Sequence, residues 1–118
     1  SAALLDLALR VDEALGRNRP GTLIELASEL AEHDAAPLAL DTLCLFDRDV
    51  AAAALGRPSE SLAFRHVAGR VLERAAKDGA RTASERVAAV QRVLREDLPH
   101  NANPAIAMDG LLYQMQSL

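Results

Sequence analysis

Apolar residues recur along this chain at intervals of three and four, interrupted by short, well-marked breaks. In residues 3–15, Leu4, Leu7, Ala8, Val11, Ala14 and Leu15 form one stripe, and Asp6, Arg10, Glu13 and Arg17 lie off it. That is an amphipathic helix with a solvated face of opposite-sign neighbours. Gly16 and the run Arg17-Asn18-Arg19-Pro20-Gly21 end it. Residues 22–33 turn Leu23, Leu26, Ala27 and Leu30 inward and Glu25, Ser28, Glu29 and Glu32 outward, up to His33-Asp34. Pro37 then sits in the first turn of a third segment, residues 36–55. There Leu38, Leu40, Leu43, Leu45, Phe46, Val50, Ala53, Ala54 and Leu55 cover more than one face, as expected of a central helix. Asp41 and Asp47-Arg48-Asp49 read as its polar face, Gly56 as a left-handed C-terminal stop, and Pro58 as a block to continuation.

A fourth helix is expected over residues 59–77, with Phe64, Val67, Ala68, Val71, Leu72 and Ala75 buried and Arg65, Arg70, Glu73 and Arg74 outside. Lys77-Asp78-Gly79 is its stop. Thr82 and Glu85 have the spacing of a capping box and open a fifth helix. Its stripe is Val87, Val90, Leu94 and Leu98, with Arg86, Arg92, Arg95 and Glu96 outside and Pro99 at its end. The last sixteen residues, 103–118, are the best-marked of all. Asn103 is a good N-cap, Pro104 suits the first helical position, and Ile106, Ala107, Leu111, Leu112 and Met115 recur at helical spacing. No segment alternates with a period of two. The expectation is an all-α chain, residues 1–118 forming a single compact bundle of five to six helices.

Composition supports that class. Half the residues are apolar, mostly Ala, Leu and Val, with three aromatics and no Trp, a helix-forming set. A net charge of −4 and a pI near 5.3 argue against phosphate-backbone binding as the main role. Basic residues thicken from Arg57 to Arg95, but acidic residues interleave with them and aromatics do not, so a solvated face is expected rather than a nucleic-acid patch. The one cysteine, Cys44, lies on the apolar third segment and reads as a small hydrophobe. With no disulfide framework, a reducing cytoplasmic location is expected. No run is long enough to span a bilayer. The chain begins Ser-Ala-Ala rather than with Met, which suggests a piece of a longer protein.

Candidate chemistry is sparse. His33, His66 and His100 are scattered, without Cys or carboxylate at metal-ligand spacing. Phosphate-binding glycine loops and a nucleophile-elbow motif are absent from the sequence. Asp47 and Asp49 do not share a helix face. No cofactor or metal is therefore expected, and this stretch is not expected to be an enzyme.

The tail carries a more specific signal. The positions Asn101, Asn103, Pro104, Ile106, Ala107, Asp109, Leu111 and Leu112 resemble the C-terminal end of bacterial DNA polymerase III clamp-loader subunits, the delta-prime subunit most closely. Gamma/tau-type subunits have a similar domain. Upstream, Leu23-Ile24-Glu25-Leu26-Ala27 through Leu30-Ala31-Glu32, then the apolar stretch from Leu38 to Gly56, follow the same order. Asp109 stands where the family usually has Glu, and Gly110 sits inside the last helix, where a missing Cβ suggests a close helix approach. The resemblance implies a collar domain, packed with those of four other subunits into a ring that holds ATPase modules lying N-terminal to this stretch. The assembled machine opens the sliding clamp and loads it onto primed DNA, as part of a DNA-directed DNA polymerase complex. Delta-prime itself is implied not to hydrolyse ATP. The implied partners are the other clamp-loader subunits in a hetero-pentameric ring, with DNA met only indirectly and no membrane or small-molecule ligand. Interface residues are expected on the exposed side of the last two helices: Arg92, Arg95, Asn101, Asn103, Tyr113, Gln114 and Gln116. Tyr113 is the strongest of these, because aromatics anchor interfaces. Composition and periodicity alone equally allow a helical adaptor or regulatory domain that binds a peptide helix.

Overall fold

The computed structural model describes residues 2–17, 20–32, 36–100 and 103–118. Amphipathic stripes become helices α1 (Ala2–Arg17), α2 (Pro20–Glu32), α3 (Ala36–Ala54), α4 (Ala68–Arg92) and α5 (Pro104–Ser117). Among the described residues there is no strand, and the protein is an all-α bundle. The longest packing seam runs between α3 and α4, with α2 against α5 and α1 against α3. The expected turn at Asn18-Arg19, the helix end at His33-Asp34 and the candidate Asn101 lie outside the described residues.

The core has two parts. The larger joins Leu7, Val11 and Leu15 of α1, Leu23, Leu26 and Leu30 of α2, Leu40 and Leu43 of α3, Val90 of α4 and Met108, Leu111, Leu112 and Met115 of α5. The smaller gathers Phe46 and Val50 of α3 with Leu62, Val71, Ala75 and Ala83. Helix α3 contributes to both, as a central helix must. It nevertheless leaves Leu38 and Leu45 exposed, and Leu55 lies exposed just past its end. Gly56 has φ 86° and closes it as expected.

The expected helix over residues 59–77 starts late. Residues 59–67 form two short 3-10 turns, Ser59–Ser61 and Arg65–Val67, and helix begins at Ala68. Asp49 explains the delay. Its two carboxylate oxygens accept the backbone N–H groups of Ala63 (2.9 Å) and Phe64 (2.8 Å). Those donors are thereby held by α3, and Leu62 takes an extended conformation that drops its side chain into the smaller core. His66 lies in this connection, exposed, edge-on to the Phe64 ring.

Within α4, Gly79 alone has a non-helical backbone (φ 79°, ψ 169°) and kinks the element where a stop was expected. Helical geometry resumes immediately after it, so Thr82 is already inside the second half. The capping box does not form, and Glu85 instead pairs with Arg81 at 3.2 Å. The second half runs into a π-helical turn, Val93–Asp97, before Pro99. Val87, Leu94 and Leu98 are only partly buried there, while Ala83, Ala89, Val90 and Val93 fill the interior.

Two glycines should respond to alanine in opposite directions. Gly79 needs a backbone region essentially closed to other residues, so Gly79→Ala should cost about 1–3 kcal/mol. Gly110 lies inside α5, and a Cβ added to it would meet nothing within 4 Å. Gly110→Ala should therefore gain up to about 1 kcal/mol from helix propensity. Urea unfolding of the two variants measures both.

Candidate interaction surface

Helix α5 is set by its two ends. At its start Asn103 Oδ1 accepts the N–H groups of Ala105 (2.9 Å) and Ile106 (3.3 Å), and Pro104 follows in the first turn. Near its end the guanidinium Nε of Arg86 donates to the Met115 carbonyl oxygen at 3.2 Å. That carbonyl lies in the last turn of α5 and also accepts the Leu118 N–H at 3.4 Å, and a buried cation there suits the helix dipole. Between these ties, Met108, Leu111, Leu112 and Met115 recur at three- and four-residue steps and are buried.

Ile106 is out of phase with that stripe. Expected in the core, it is instead 71% exposed, with Met108 taking the inward place. Ile106, Gly110 and Tyr113 share the outward side of α5, and Tyr113 is 72% exposed. No neighbouring atom approaches Gly110, so the missing Cβ does not serve a close approach between helices of this chain. It lowers the ridge between two open clefts. One cleft, of about 330 Å³, is lined by Leu23 and Ile24 of α2 and by Asp109, Gly110, Tyr113 and Gln116 of α5. The other, about 360 Å³, lies between α4 and α5 and includes Arg92, Val93, Ile106, Ala107, Gly110 and Gln114. Ile24 is itself 58% exposed, so three large apolar side chains stand outward on or beside these clefts.

Of the expected interface residues, the structure brings Tyr113 and Gln116 to the first cleft and Arg92 and Gln114 to the second. Arg95 is exposed, beside Arg92 on a further shallow face that Ala88 and Gln91 share. Asn103 is exposed, but its side-chain oxygen is committed to capping α5. Ile24 and Ile106 were not expected on this surface. Ile106 could have been found from its phase, since it sits two positions before Met108 while the stripe steps by three and four.

The side chains best suited to chemistry lie elsewhere, inside the protein. Arg74 and Arg86, expected on the solvated side of their helices, are buried, and so are Asp12, Asp47 and Asp49. Arg74 Nε donates to Asp12 Oδ1 at 2.7 Å, and Arg74 Nη2 donates to the Asp12 carbonyl oxygen at 3.1 Å. Arg74 Nη1 lies 3.7 Å from Asp78 Oδ1, and Arg86 Nη1 donates to Asp78 Oδ2 at 2.7 Å. At the rim, Arg70 donates to the Leu9 carbonyl oxygen and approaches Asp12 Oδ2 at 3.6 Å. Gly16 makes room for this group, because a Cβ there would sit 2.4 Å from Arg74 Nη2.

Burial raises the Asp12 carboxyl above its usual range despite the opposing pull of Arg74. Burial also opposes charge on Arg74, but Asp12 and Asp78 outweigh it and the guanidinium is held more firmly protonated. Asp47 is pushed up to about 7 by desolvation, only partly opposed by Arg86. Asp12 and Arg74 border a polar cleft of about 350 Å³ that Gly16, Arg70 and Lys77 also line, but there they are bonded to each other. Burial likewise raises the Cys44 thiol, away from the thiolate that reactivity requires. Among the described residues no group of His, Cys, Asp and Glu is arranged to hold a metal ion, and no helix is long and apolar enough to cross a membrane.

The two environments should respond differently to truncation. Ile106→Ala and Tyr113→Ala remove exposed side chains and should change stability by no more than about 0.5 kcal/mol. Met108→Ala removes a fully buried one and should cost about 2–5 kcal/mol. Asp12→Ala leaves Arg74 buried without its carboxylate and should cost about 3–5 kcal/mol. Thermal or urea denaturation of the four variants checks the ranking. Comparison with known proteins finds no matching family model, no matching curated protein and no matching solved structure.

Proposed function

We propose that this chain is an assembly module, the collar domain of a bacterial DNA polymerase III clamp-loader subunit of the delta-prime kind, working in the cytoplasm. The observation that carries the reading is the last helix. Its capped Asn103-Pro104 entry and its Leu111-Leu112 pair resemble that family, and its outward side holds Ile106 and Tyr113, which the domain's own core does not use.

In a ring of unlike subunits each contact is heterologous, with a different patch on either side. The ridge of α5 and its two flanking clefts supply one such patch. Burying a large apolar side chain is worth roughly 1.5–3 kcal/mol, so Ile24, Ile106 and Tyr113 would serve as its anchors. Arg92, Arg95, Gln114 and Gln116 would form the polar rim that fixes orientation. The role is mechanical rather than chemical: the domain holds its neighbours in place while ATPase modules elsewhere in the subunits work the clamp. A second reading is favoured by the cleft between α2 and α5, whose apolar walls suit one amphipathic helix from an adaptor's partner.

The two readings part in a reconstitution. The gene product containing this chain is co-expressed with the other clamp-loader subunits of its source, and the assembly is resolved by gel filtration. Co-elution in a five-subunit complex, weakened by Tyr113→Ala and by Arg95→Glu, is the expected result. Failure to co-elute, or an upstream region without ATPase-like domains, overturns the clamp-loader reading. Undiminished assembly of both variants overturns the interface assignment.

A further inference from the structure

Asp47 lies on α3, 3% exposed, and its Oδ2 atom has no hydrogen-bond partner. It faces Asp12 from α1 and Arg74, Asp78 and Arg86 from the two halves of α4. On its own helix, Arg48 is exposed and the Asp49 carboxylate is engaged with Ala63 and Phe64. Among the described residues no other charged side chain is buried. The carboxylates of Asp12 and Asp78 take the two guanidiniums of Arg74 and Arg86 in ion pairs, and Asp47 feels both cations without pairing with either. Arg86 and Arg74 are bonded to Asp78 and Asp12, which leaves Asp47 as the carboxylate without a bonded cation. Arg70 reaches only Asp12, from the rim.

We propose that Asp47 is a buried proton switch: its carboxyl, enclosed without a bonded cation, is accommodated in the folded protein in its protonated form, and its ionisation weakens the packing of α3 against the two halves of α4. With the proton in place the carboxylates of Asp12 and Asp78 are matched by the buried guanidiniums of Arg74 and Arg86, and Arg70 adds its charge only from the exposed rim. Without the proton, an unpaired negative charge is buried beside two others, and such a charge is costly in a low-dielectric interior. The repulsion falls at the junction of the two halves of α4. Asp78 directly precedes Gly79, the kink about which the halves of α4 meet. The direction of the pH effect follows from a folded carboxyl held near 7 against an ordinary 3.8. The folded state binds the extra proton, so stability is greatest at low pH. It is lost as pH rises between those two values and is level above them. The device stands apart from the assembly role, since it needs no partner.

Urea unfolding of the 118-residue chain at pH 5.5 and 8.5 tests it, with Asp47→Asn as the isosteric variant and the exposed Asp41→Asn as control. The wild-type midpoint should fall by roughly 1–2 M between the two pH values. Asp47→Asn should lose most of that fall, and Asp41→Asn should keep it. Amide protection over residues 71–90, corrected for intrinsic exchange, should drop at pH 8.5 in the wild type only. Carbon-detected NMR of the wild-type carboxyls gives a readout that needs no variant to fold: the Asp47 signal should titrate near neutrality. A fall undiminished in Asp47→Asn, or an Asp47 signal that titrates below about pH 5, overturns the proposal.

Discussion

The chain of buried charges from Asp12 through Arg74 and Asp78 to Arg86 fixes how this protein is put together. Along a straight helix, residues eight apart are separated by about 12 Å of rise. Asp78 and Arg86 are eight apart and meet at 2.7 Å. They can do so because Gly79 turns the second half of α4 relative to the first. The same chain then reaches Asp12 on α1, sixty-two residues from Arg74, and the Met115 carbonyl on α5. Three helices are thereby held to one another by directional bonds, where apolar contact alone would allow sliding. Buried ion pairs add little net stability once desolvation is counted, but breaking one is costly. Their contribution here is to geometry: they select one arrangement of α1, α4 and α5 among those the two apolar clusters would accept.

The helices themselves were legible because their apolar positions keep helical phase. The charged cluster was not, because a charged residue in a local pattern is assigned to water by default. Phase says otherwise in hindsight. Asp12 follows Val11 and precedes Leu15 by one turn, Arg74 stands beside Ala75 and one turn from Val71, and Arg86 lies between Ala83 and Val90. Asp47 directly follows Phe46 and precedes Val50 by three. Each is a polar residue at an inward position, and the Asp12–Arg74 pair that accounts for two of them spans sixty-two residues of sequence. The delayed start of α4 has the same origin. Nothing in residues 59–67 forbids a helix, but Asp49 of α3 takes two of their N–H donors.

Ile106 shows the converse error. It is expected in the core with Ala107, Leu111, Leu112 and Met115 at helical spacing, but the buried stripe is phased on Met108, which turns Ile106 outward. The distinction matters for function, because a residue that is apolar and outward is one the monomer does not need. Tyr113 and Ile24 fall in the same class, and they gather where α2 and α5 meet. Arg92 and Gln114 were legible as a surface pair from sequence because they sit on the polar side of regular helices, where the local pattern suffices. What the pattern could not supply was the pair of clefts, since each is made by two helices distant along the chain.

The buried cluster and the outward surface are joined through one bond. Arg86 holds Asp78 with one nitrogen and the Met115 carbonyl with another. Met115 lies in the last turns of α5, and Asn103 caps the other end of that helix. The helix is therefore pinned at both ends, with its rotation set by Met108, Leu111 and Leu112 against the core. Any rotation that moved Tyr113 inward would expose that stripe and draw the Met115 carbonyl away from Arg86. Rigidity of this kind lowers the conformational freedom that any binding event at a surface has to remove. The buried residues Arg86, Met108, Leu111 and Leu112 are thus the ones that hold Ile106 and Tyr113 in their outward positions.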